Sequence, residues 1–539
     1  MGTTVTVNDL LDGHVALDLQ CLDRIYLNGY VPSLQVGGQV VSFMTQHLGL
    51  PIPSPAVMEK IGTRFRRAVT RFADDNHIPL VRFKKGARKA DVMKPHLARQ
   101  AATGRSGVAA IGVAQEFQNV FAANQRDAPN GVPWFSFTKA DRRVTCFYFY
   151  LWDEDFGPAF IKVCAYFPYP IKVWLNGHEW AKRQSADAGI GFTELSNGFA
   201  TCEDPEALQA ICDRLGPGTI GVFFERWMSI LPLPLDQADR AAGYWWELSM
   251  RQIEVSRTMV FDAPRHARGF FEALVVDNLD IGRPDTLEVI FGRQIRHGRR
   301  RRTQEVFNTK VVTRDTEVTM NTFYKHSRIK QYLKDGRALR IETVINSPTD
   351  LGCLRRLQHL DELQAKGRDV NARLLDTERV GQGCVLASPA FERVAQSTLT
   401  EDGRRSPALR FGDPRVMALL GALCISLNAL GFTNRSLRAQ VSHLLGVSLD
   451  DYTINQASYD LARLRLNGLI RKRPGTNTYD LTPDGQRVAI FYTKVHDRLL
   501  RPLIAADNPP APIELRSALT TIDRHVHQYA DAARLGTAA

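Results

Sequence analysis

The spacing of apolar residues predicts a mixture of strands and helices up to about residue 395. Alternating or short continuous apolar runs predict strands, and apolar residues three or four positions apart predict helices. The predicted strands are 15–19, 78–83, 108–113, 144–152, 159–167, 171–175, 287–291, 310–313, 318–324 and 339–345. The predicted helices are 38–48, 56–76, 178–188, 205–215, 218–230, 236–257, 264–277 and 354–375. We therefore expect an α+β fold without internal repeats.

The pattern also predicts how the chain divides into domains. Residues 1–130 read as a mixed α/β domain with a basic segment, and residues 131–395 as an aromatic-rich α+β domain. Residues 396–412 are polar, contain glycine and proline, and are typical of a linker. A helical domain follows over 413–503, and a proline-containing tail with an amphipathic helix over 504–539.

The C-terminal domain has a recognisable order of elements. Three helices are predicted over 416–430, 434–445 and 453–467, followed by a basic hairpin that turns at 474–477. Thr482 and Pro483 then form a favourable start for a last helix. This order resembles the winged helix-turn-helix family of DNA-binding domains, and the resemblance implies contact with nucleic acid.

The third helix of this domain has two distinct faces. Its expected core side is formed by Ile454, Ala457, Leu461 and Leu464. The opposite side carries groups that can read base edges in a major groove, namely Asn455, Gln456, Tyr459 and Arg463. Basic residues at the hairpin suit phosphate contact: Arg471, Lys472 and Arg473. The alternative is that this domain binds protein, including a second copy of the chain.

Charge strengthens the expectation of a polyanionic partner. The net charge of +12 is concentrated in two regions. Residues 60–100 hold 12 Lys/Arg against 3 Asp/Glu, and residues 290–340 hold 14 against 4. We expect DNA or RNA to contact these regions. The candidate contacts are Lys84, Lys85, Arg88, Lys89, Arg299, Arg300, Arg301, Arg302, Lys330, Lys334, Arg337 and Arg340.

Composition makes several protein classes less probable. No apolar run of 18 residues occurs, and the first 19 residues contain charged side chains, so neither a membrane span nor a signal peptide is expected. The eight cysteines are scattered without a CxxC pair, which favours reduced thiols over disulfides or zinc. We therefore expect a cytoplasmic protein without a membrane partner.

The first candidate for chemistry is an acidic hairpin tip. Asp153 and Asp155 lie at the predicted turn between two strands, and Glu179 follows His178 at a strand-to-helix turn. Two or three carboxylates at strand ends suit a Mg²⁺ or Mn²⁺ ion in phosphoryl transfer. The alternative is a solvated turn and an acidic first helical turn without catalytic function.

The second candidate is the strand region 320–346. Tyr324 and Lys325 precede a strand that contains Arg340 and Glu342. This arrangement resembles replication initiator proteins of plasmids and phages, although the Tyr/Lys spacing differs and no His-hydrophobic-His motif is present. The resemblance implies a nucleophilic tyrosine, Tyr324 or Tyr332, beside a metal. A phosphate-binding surface, with Glu342 paired to an arginine, is the milder interpretation, and a solvated basic face is the simplest one.

A third resemblance covers most of the chain. The segments 175–184, 277–284 and 330–343 are similar to a widespread family of bacterial proteins, frequent in soil and actinobacterial genomes, for which the resemblance implies no activity. The leading hypothesis is a nucleic-acid-binding protein that processes DNA or RNA, with replication or a mobile element as the expected context. The main alternative is a winged-helix regulator or adaptor. An enzyme of small-molecule metabolism is the third.

Overall fold

The chain divides into two compact units. The computed structural model describes residues 11, 13–84, 86–127, 133–277, 287, 290, 291, 293, 307–314, 317–382, 389–399, 403, 405–426, 432–495, 521 and 525. One unit comprises residues 1–383 with 428–430, and the other comprises residues 384–427 with 431–539.

A large sheet organises the first unit. Its strands are β1 (Val15–Tyr30), β2 (Leu80–Arg82), β3 (Gly107–Asp127), β4 (Pro133–Asp153), β5 (Gly157–Cys164), β6 (Ile171–Asn176), β9 (Glu247–Phe261), β10 (Phe307–Arg314), β11 (Glu317–Tyr324), β12 (Ser327–Lys334) and β13 (Ala338–Ile345), while β7 (Phe192–Leu195) and β8 (Gly198–Cys202) form a separate hairpin. In the described chain the sheet order is β10-β11-β12-β13-β9-β1-β6-β5-β4-β3-β2. Neighbouring strands are antiparallel except for β2 and β3, which are parallel.

Helices accompany the sheet in this unit. They are α1 (Gly37–Ser42, continued by a π turn over Phe43–His47), α2 (Pro55–Asp75), α3 (Lys89–Ala101), α4 (Gly177–Asp187), α5 (Pro205–Asp213), α6 (Pro217–Ile230), α7 (Gln237–Ala241), α8 (Pro264–Asp277) and α9 (Leu360–Gln382). Local sequence explains several of their starts. The Asn176 side chain accepts hydrogen bonds from the first amides of α4, and Pro55, Pro205 and Pro217 occupy first helical positions.

Strand β9 corrects a sequence prediction. The helix expected over 236–257 is only the short α7, and the chain then continues as β9. Hydrogen bonding to β1 on one side and β13 on the other places β9 in the interior of the sheet. These two partners outweigh a local apolar spacing that also fits a helix.

Three further expectations differ from the structure. Residues 287, 290 and 291, expected within a strand, are helical. The basic segment before residue 335 contains an additional strand, β12, that pairs with both β11 and β13. The domain boundary expected at residue 130 does not divide the sheet, because β3 and β4 pair from Gly107–Trp152 to Asp127–Pro133.

The two faces of the sheet have different surroundings. Side chains such as Ile25, Val173 and Ile253 point into the main hydrophobic core. Val255 and Thr343 lie on that same side, where α9 packs: Asn371 of α9 bonds Thr343 and the carbonyl oxygen of Val255. The opposite face carries polar and aromatic side chains at alternate positions. It contains the groups described below.

The second unit consists of five described helices and two small hairpins. They are α10 (Pro389–Ala395), β14 (Thr398–Leu399), β15 (Arg405–Ser406), α11 (Pro414–Ser426), α12 (Asn434–Leu445), α13 (Ile454–Leu466), β16 (Ile470–Lys472), β17 (Tyr479–Leu481) and α14 (Pro483–Val495). The predicted linker thus contains the β14–β15 pair. Val416, Leu437, Leu461 and Leu464 are fully or almost fully buried. None of the described helices has the length and apolar character needed to cross a membrane.

Candidate active site

The acidic hairpin tip is occupied by structural contacts. Asp153 is completely buried, and its carboxylate accepts hydrogen bonds from Arg226 (2.8 Å), the indole of Trp227 (2.7 Å) and the amides of Asp155 and Phe156. Asp155 also pairs with Arg226, at 2.9 Å. These bonds use the oxygen atoms that a metal would require.

The strand-to-helix turn has its own contacts. Glu179 pairs with Lys182 at 3.0 Å, and Lys182 also contacts Glu194 at 2.6 Å. Within the described residues, Asp153, Asp155 and Glu179 do not converge closely enough to bind one ion together. The structure therefore does not assemble the metal site expected from these three side chains.

Three other carboxylates do converge. Asp23, Glu254 and Glu342 each offer an oxygen, and these oxygens all lie within 4.8 Å of one another. We call this group the carboxylate trio. Its members come from β1, β9 and β13, which are adjacent in the sheet. Asp23 reaches the group because β1 is irregular between the pairs Leu22–Val255 and Ile25–Ile253. All three residues are at least 96% buried, with exposures of 1%, 2% and 4%.

Basic side chains neutralise much of this charge. Arg340 is fully buried and donates to Asp23 at 2.8 Å and to Glu342 at 3.2 Å. Lys330 reaches the other oxygen of Glu342 at 3.1 Å, and exposed Arg24 lies 3.8 Å from Glu254. Without such partners three buried carboxylates would be strongly destabilising.

Glu254 is the least satisfied member of the trio. One oxygen accepts a hydrogen bond from Gln252 at 2.7 Å, whereas Oε2 has no hydrogen-bond partner within the described chain. Burial raises the pKa of Glu254, and the nearby negative charge of Glu342 raises it further, although Lys330 acts in the opposite direction. Burial also acts to raise the pKa of Asp23, but the charge of Arg340 and a hydrogen bond from Asn197 outweigh it, and that pKa is lowered. A buried carboxylate oxygen facing two others can accept a cation.

His178 lies beneath this group. Its Nε2 atom is 2.5 Å from Arg340 Nη2 and 3.2 Å from the Ser256 hydroxyl. Since a guanidinium only donates, Nε2 must accept, and the imidazole is neutral. Burial lowers the pKa of His178, in agreement with this. With 1% exposure, His178 positions Arg340 and has no direct access to a substrate at the surface.

The two candidate tyrosines have different environments. Tyr324 is fully buried and stacks on Phe291 at 4.2 Å between ring centroids. Its hydroxyl therefore cannot reach a large substrate. Tyr332 is half-buried and donates to Glu342 Oε1 at 2.7 Å. Burial and the Glu342 charge raise the pKa of Tyr332, so its hydroxyl stays protonated at neutral pH.

The predicted phosphate-binding residues near this group are partly used elsewhere. Arg340 is a correction, because complete burial in ion pairs removes it from any phosphate-binding surface. Arg337 donates to the carbonyl oxygen of Phe261 at 3.1 Å. Lys330 and Lys334 are half-buried on the polar face, and burial lowers the pKa of Lys334. Four predicted contacts lie outside the described residues: Arg299, Arg300, Arg301 and Arg302.

A second set of possible metal ligands lies at the end of β9. His14 Nδ1 and His266 Nδ1 are 2.9 Å and 2.6 Å from the two oxygens of Asp262. Hydrogen bonds from His266 and His14 lower the pKa of Asp262. In contrast to the carboxylate trio, these side chains are partly exposed and already satisfy one another.

The basic segment 60–100 contributes to a surface groove. A cavity of about 660 Å³ is bordered by Arg66, Arg82, Lys84, Lys89 and Arg143, together with aromatic and polar groups. Lys89 is paired with Glu116 and the Tyr148 hydroxyl, whereas Lys84 and Arg88 are exposed. Lys85 lies outside the described residues. The groove is positively charged, as the sequence indicates.

The exposed face of α13 differs from the expected one. Ile454, assigned to the core side, is 62% exposed, and Arg463 turns inward to the carbonyl oxygen of Ala408. Gln456 uses its side chain to cap the start of the helix. Asn455 and Tyr459 remain exposed. The residues that line the adjoining cavity, of about 450 Å³, are Thr433, Asn434, Arg435, Ser458, Leu461, Ala462, Arg465, Asn477 and Tyr479.

The hairpin next to α13 retains two free basic groups. Arg471 and Lys472 are exposed and form no ion pair within 4 Å in the described structure, although Arg471 lies across the hairpin from Asp480 and its charge helps to lower the pKa of that carboxylate. Arg473 is instead bound to both oxygens of Asp480 at 2.7–3.0 Å. The hairpin therefore offers two of its three predicted phosphate contacts.

Comparisons with known proteins leave this geometry as the basis for function. No family model, curated protein or solved structure matches the chain.

Proposed function

We propose that this protein binds nucleic acid and cleaves its phosphodiester bonds with the help of Mg²⁺ or Mn²⁺ bound at the carboxylate trio. The observation that carries this proposal is the convergence of Asp23, Glu254 and Glu342 on the polar face of the sheet, with one buried oxygen of Glu254 lacking a hydrogen-bond partner in the described chain. Carboxylate oxygens are the preferred ligands of both cations.

The residues around the trio suit a phosphodiester substrate. A bound divalent cation would supply Lewis-acid activation of the phosphate and of water. Lys330 is only partly buried, so it could bind a phosphate oxygen if a cation replaced it beside Glu342. Tyr332 keeps Glu342 oriented through its 2.7 Å hydrogen bond.

The proposed reaction is a hydrolysis. Water forms a new bond to phosphorus and releases its proton to solvent, while the bond from phosphorus to the ester oxygen breaks. The leaving oxygen takes a proton from solvent. Glu254 would hold the cation in its charged form, which the cation would favour against the burial and the Glu342 charge that raise its pKa. Arg340 and His178 stay beneath the site and hold Asp23 and Glu342 in place.

Nucleic acid is the favoured substrate because of charge and the second unit. The net charge of +12 and the basic groove suit a polyanion. The order α11, α12, α13, β16–β17 and α14 resembles that of a winged helix, and on this proposal α13 enters a major groove while Arg471 and Lys472 contact the backbone. We infer that this unit binds duplex DNA.

A second function is favoured by the exposed surface of α13. If the second unit alone contacts DNA, the protein is a transcriptional regulator or adaptor and the first unit binds a ligand or partner. The concave surface between Asn434, Arg465 and Asn477 supports that reading equally well. The same surface also suits a second copy of the chain, which makes a homo-oligomer part of this alternative.

Cleavage assays separate these functions. Purified protein is incubated with labelled single-stranded and duplex DNA and RNA in Mg²⁺, Mn²⁺ or EDTA. Glu254→Gln removes the charge that is needed for the cation and should abolish cleavage. Glu362→Gln, an exposed glutamate on α9, is the matched control and should retain it. If no substrate is cleaved in either metal, the enzyme function is refuted and the regulator function is favoured.

A further inference from the structure

The polar face of the sheet continues from the trio into an aromatic surface. Phe160 and Trp174 stack with planes 7° apart and centroids 6.0 Å apart, and Tyr26 meets Phe160 edge-on at 6.2 Å. All three rings are half-buried. We call this group the aromatic platform. The main core lies on the opposite face of the sheet; on this face Phe160 also packs against Tyr148 and Tyr150 of a smaller buried cluster, with ring centroids 5.6 Å apart.

Strand register joins the platform to the trio. Tyr26 pairs with Trp174 on one side and with Gln252 on the other, and Trp174 pairs with Phe160. Paired residues in adjacent strands project to the same face. Gln252 also donates to Glu254 at 2.7 Å. Tyr26 therefore lies roughly two strand spacings, about 10 Å, from the strand of Glu342.

Two cationic side chains border the platform and form no ion pair with an acidic residue of the described chain. Lys172 and Arg251 lie 5.7 Å and 5.4 Å from the Tyr26 ring centroid. Neither forms an ion pair or side-chain hydrogen bond with any described residue. Burial lowers the pKa of Lys172 to about 8, and the nearby charges of Arg251 and Lys162 contribute, although Glu116, which pairs with Lys162, acts in the opposite direction. A phosphate group placed here would relieve this crowding of positive charge.

We propose that the aromatic platform binds unpaired nucleotides of single-stranded nucleic acid, whose bases stack on Tyr26, Phe160 and Trp174 while Lys172 and Arg251 bind the backbone phosphates. The proposal rests on the proposed function and specifies its substrate as a single strand or a single-stranded segment. Bases in a duplex stack on each other, and their faces are not accessible to side chains from a groove. Rings and cations on an open sheet face are the means by which several proteins bind single strands.

The path of the bound single-stranded nucleic acid across the sheet follows from this arrangement. Bases on the platform place the adjoining phosphate beside Gln252 and Glu254, at the edge of the trio. The nucleic acid then continues over Lys330 and Tyr332 on β12. The platform would thus select an unpaired segment and present the next phosphodiester to the carboxylates.

Fluorescence anisotropy with labelled oligo-dT and oligo-U tests the proposal. The full chain is titrated in EDTA, so that binding is measured without cleavage. Trp174→Leu keeps an apolar side chain but removes the ring, and it should weaken binding about ten-fold or more. Trp174→Phe keeps a ring and should bind within about three-fold of the wild type. Trp134→Leu, at an exposed tryptophan near the start of β4, is the control and should have no effect.

A second variant tests the platform independently of Trp174→Leu, in case that substitution disturbs folding. Lys172→Gln should lower the slope of log affinity against log salt by about 0.7, the value for one phosphate contact of a single strand. Thermal unfolding identifies variants that remain folded. The two oligonucleotides show whether DNA or RNA is preferred.

The outcomes distinguish the platform from the cleavage site. Binding that depends on Trp174, in a protein that cleaves nothing, supports the platform and refutes the proposed hydrolysis. Cleavage that depends on Glu254, with single-strand binding insensitive to both Trp174→Leu and Lys172→Gln, overturns the platform. Absence of binding to either oligonucleotide overturns it as well.

Discussion

Arg340 forms a 2.8 Å ion pair with Asp23 although the two residues are 0% and 1% exposed. The same guanidinium also donates to Glu342, His178 and the carbonyl oxygen of Asn197. A single side chain therefore supports two members of the carboxylate trio. The stability of the folded first unit therefore depends on the contacts between Arg340 and the trio.

Arg340→Met should destabilise the first unit by about 3–5 kcal/mol, because Asp23 would remain as a buried charge without its main partner. Denaturant unfolding measures the loss. Arg328→Met is the control, since Arg328 is half-buried on the next strand and forms no ion pair with described residues; we expect a change below about 1 kcal/mol there. Equal effects of the two substitutions would contradict a supporting role for Arg340.

A divalent cation should stabilise the folded protein. A ligand that binds only the native state, at a hundred times its Kd, contributes about 2.7 kcal/mol. Thermal unfolding should therefore shift upward by about 3–5 °C in Mn²⁺, and EDTA should reverse the shift. Glu254→Gln should abolish it.

His14→Ala serves as the control for the metal experiment. It removes one member of the exposed His14–Asp262–His266 group and leaves the trio intact. A shift that disappears in His14→Ala but persists in Glu254→Gln would assign the cation to the histidine group instead.

Binding of single strands should weaken as the pH rises above about 8. The pKa of Lys172 is lowered to about 8 from the ordinary 10.5, and the group is charged only below that value. A bound phosphate favours the charged form, so the complex takes up a proton near this pH. Anisotropy titrations between pH 7 and 9 measure the effect, and Lys172→Gln should remove it. A pH dependence that is unchanged in Lys172→Gln must come from another group.

The second unit should use Arg465 for duplex recognition. Arg465→Ala should cost about 1–3 kcal/mol at a preferred DNA site and relax the preference there. Lys472→Ala should weaken all duplexes alike and lower the salt slope by about one. Binding titrations against preferred and scrambled duplexes measure both effects.

Arg463→Ala is the matched comparison for Arg465→Ala. Because Arg463 faces the carbonyl oxygen of Ala408, its loss should lower stability and leave base preference unchanged. If none of these three substitutions alters any DNA affinity, the second unit binds protein rather than DNA.

Local patterns predicted most of the elements, including α8 at 264–277 and the helices and hairpin of the second unit. Helix starts that carry a proline or a capping side chain were the easiest features to predict from the sequence. The prediction of a helix over the β9 segment was wrong because the pairing of β9 with β1 and β13 depends on residues far away in the sequence. The face of α13 was only partly predicted, because Arg463 responds to a carbonyl group 55 positions away in the chain.

The candidate site was less accessible to prediction than the fold. The sequence indicates Glu342 as a candidate site residue because of its position in a basic strand region, but it does not indicate Asp23 or Glu254. The three carboxylates come together only through the non-sequential order β13-β9-β1. Charged residues inside apolar strands, such as Asp23 after Leu22, were the available signal. No spacing rule connects them, because each comes from a different part of the chain.

The long separation between Asp23 and Arg340, 317 positions, has a consequence for biosynthesis. At about 5–20 residues per second, a ribosome needs roughly 15–60 s after Asp23 to complete Arg340. During that interval the two sheet neighbours of β1, β6 and β9, are already synthesised, but Asp23 lacks the cation that pairs with it in the folded protein. Chains that terminate before β13 lack both Arg340 and Glu342. A nascent or truncated chain that ends before β13 therefore cannot assemble the carboxylate trio or the Asp23–Arg340 ion pair.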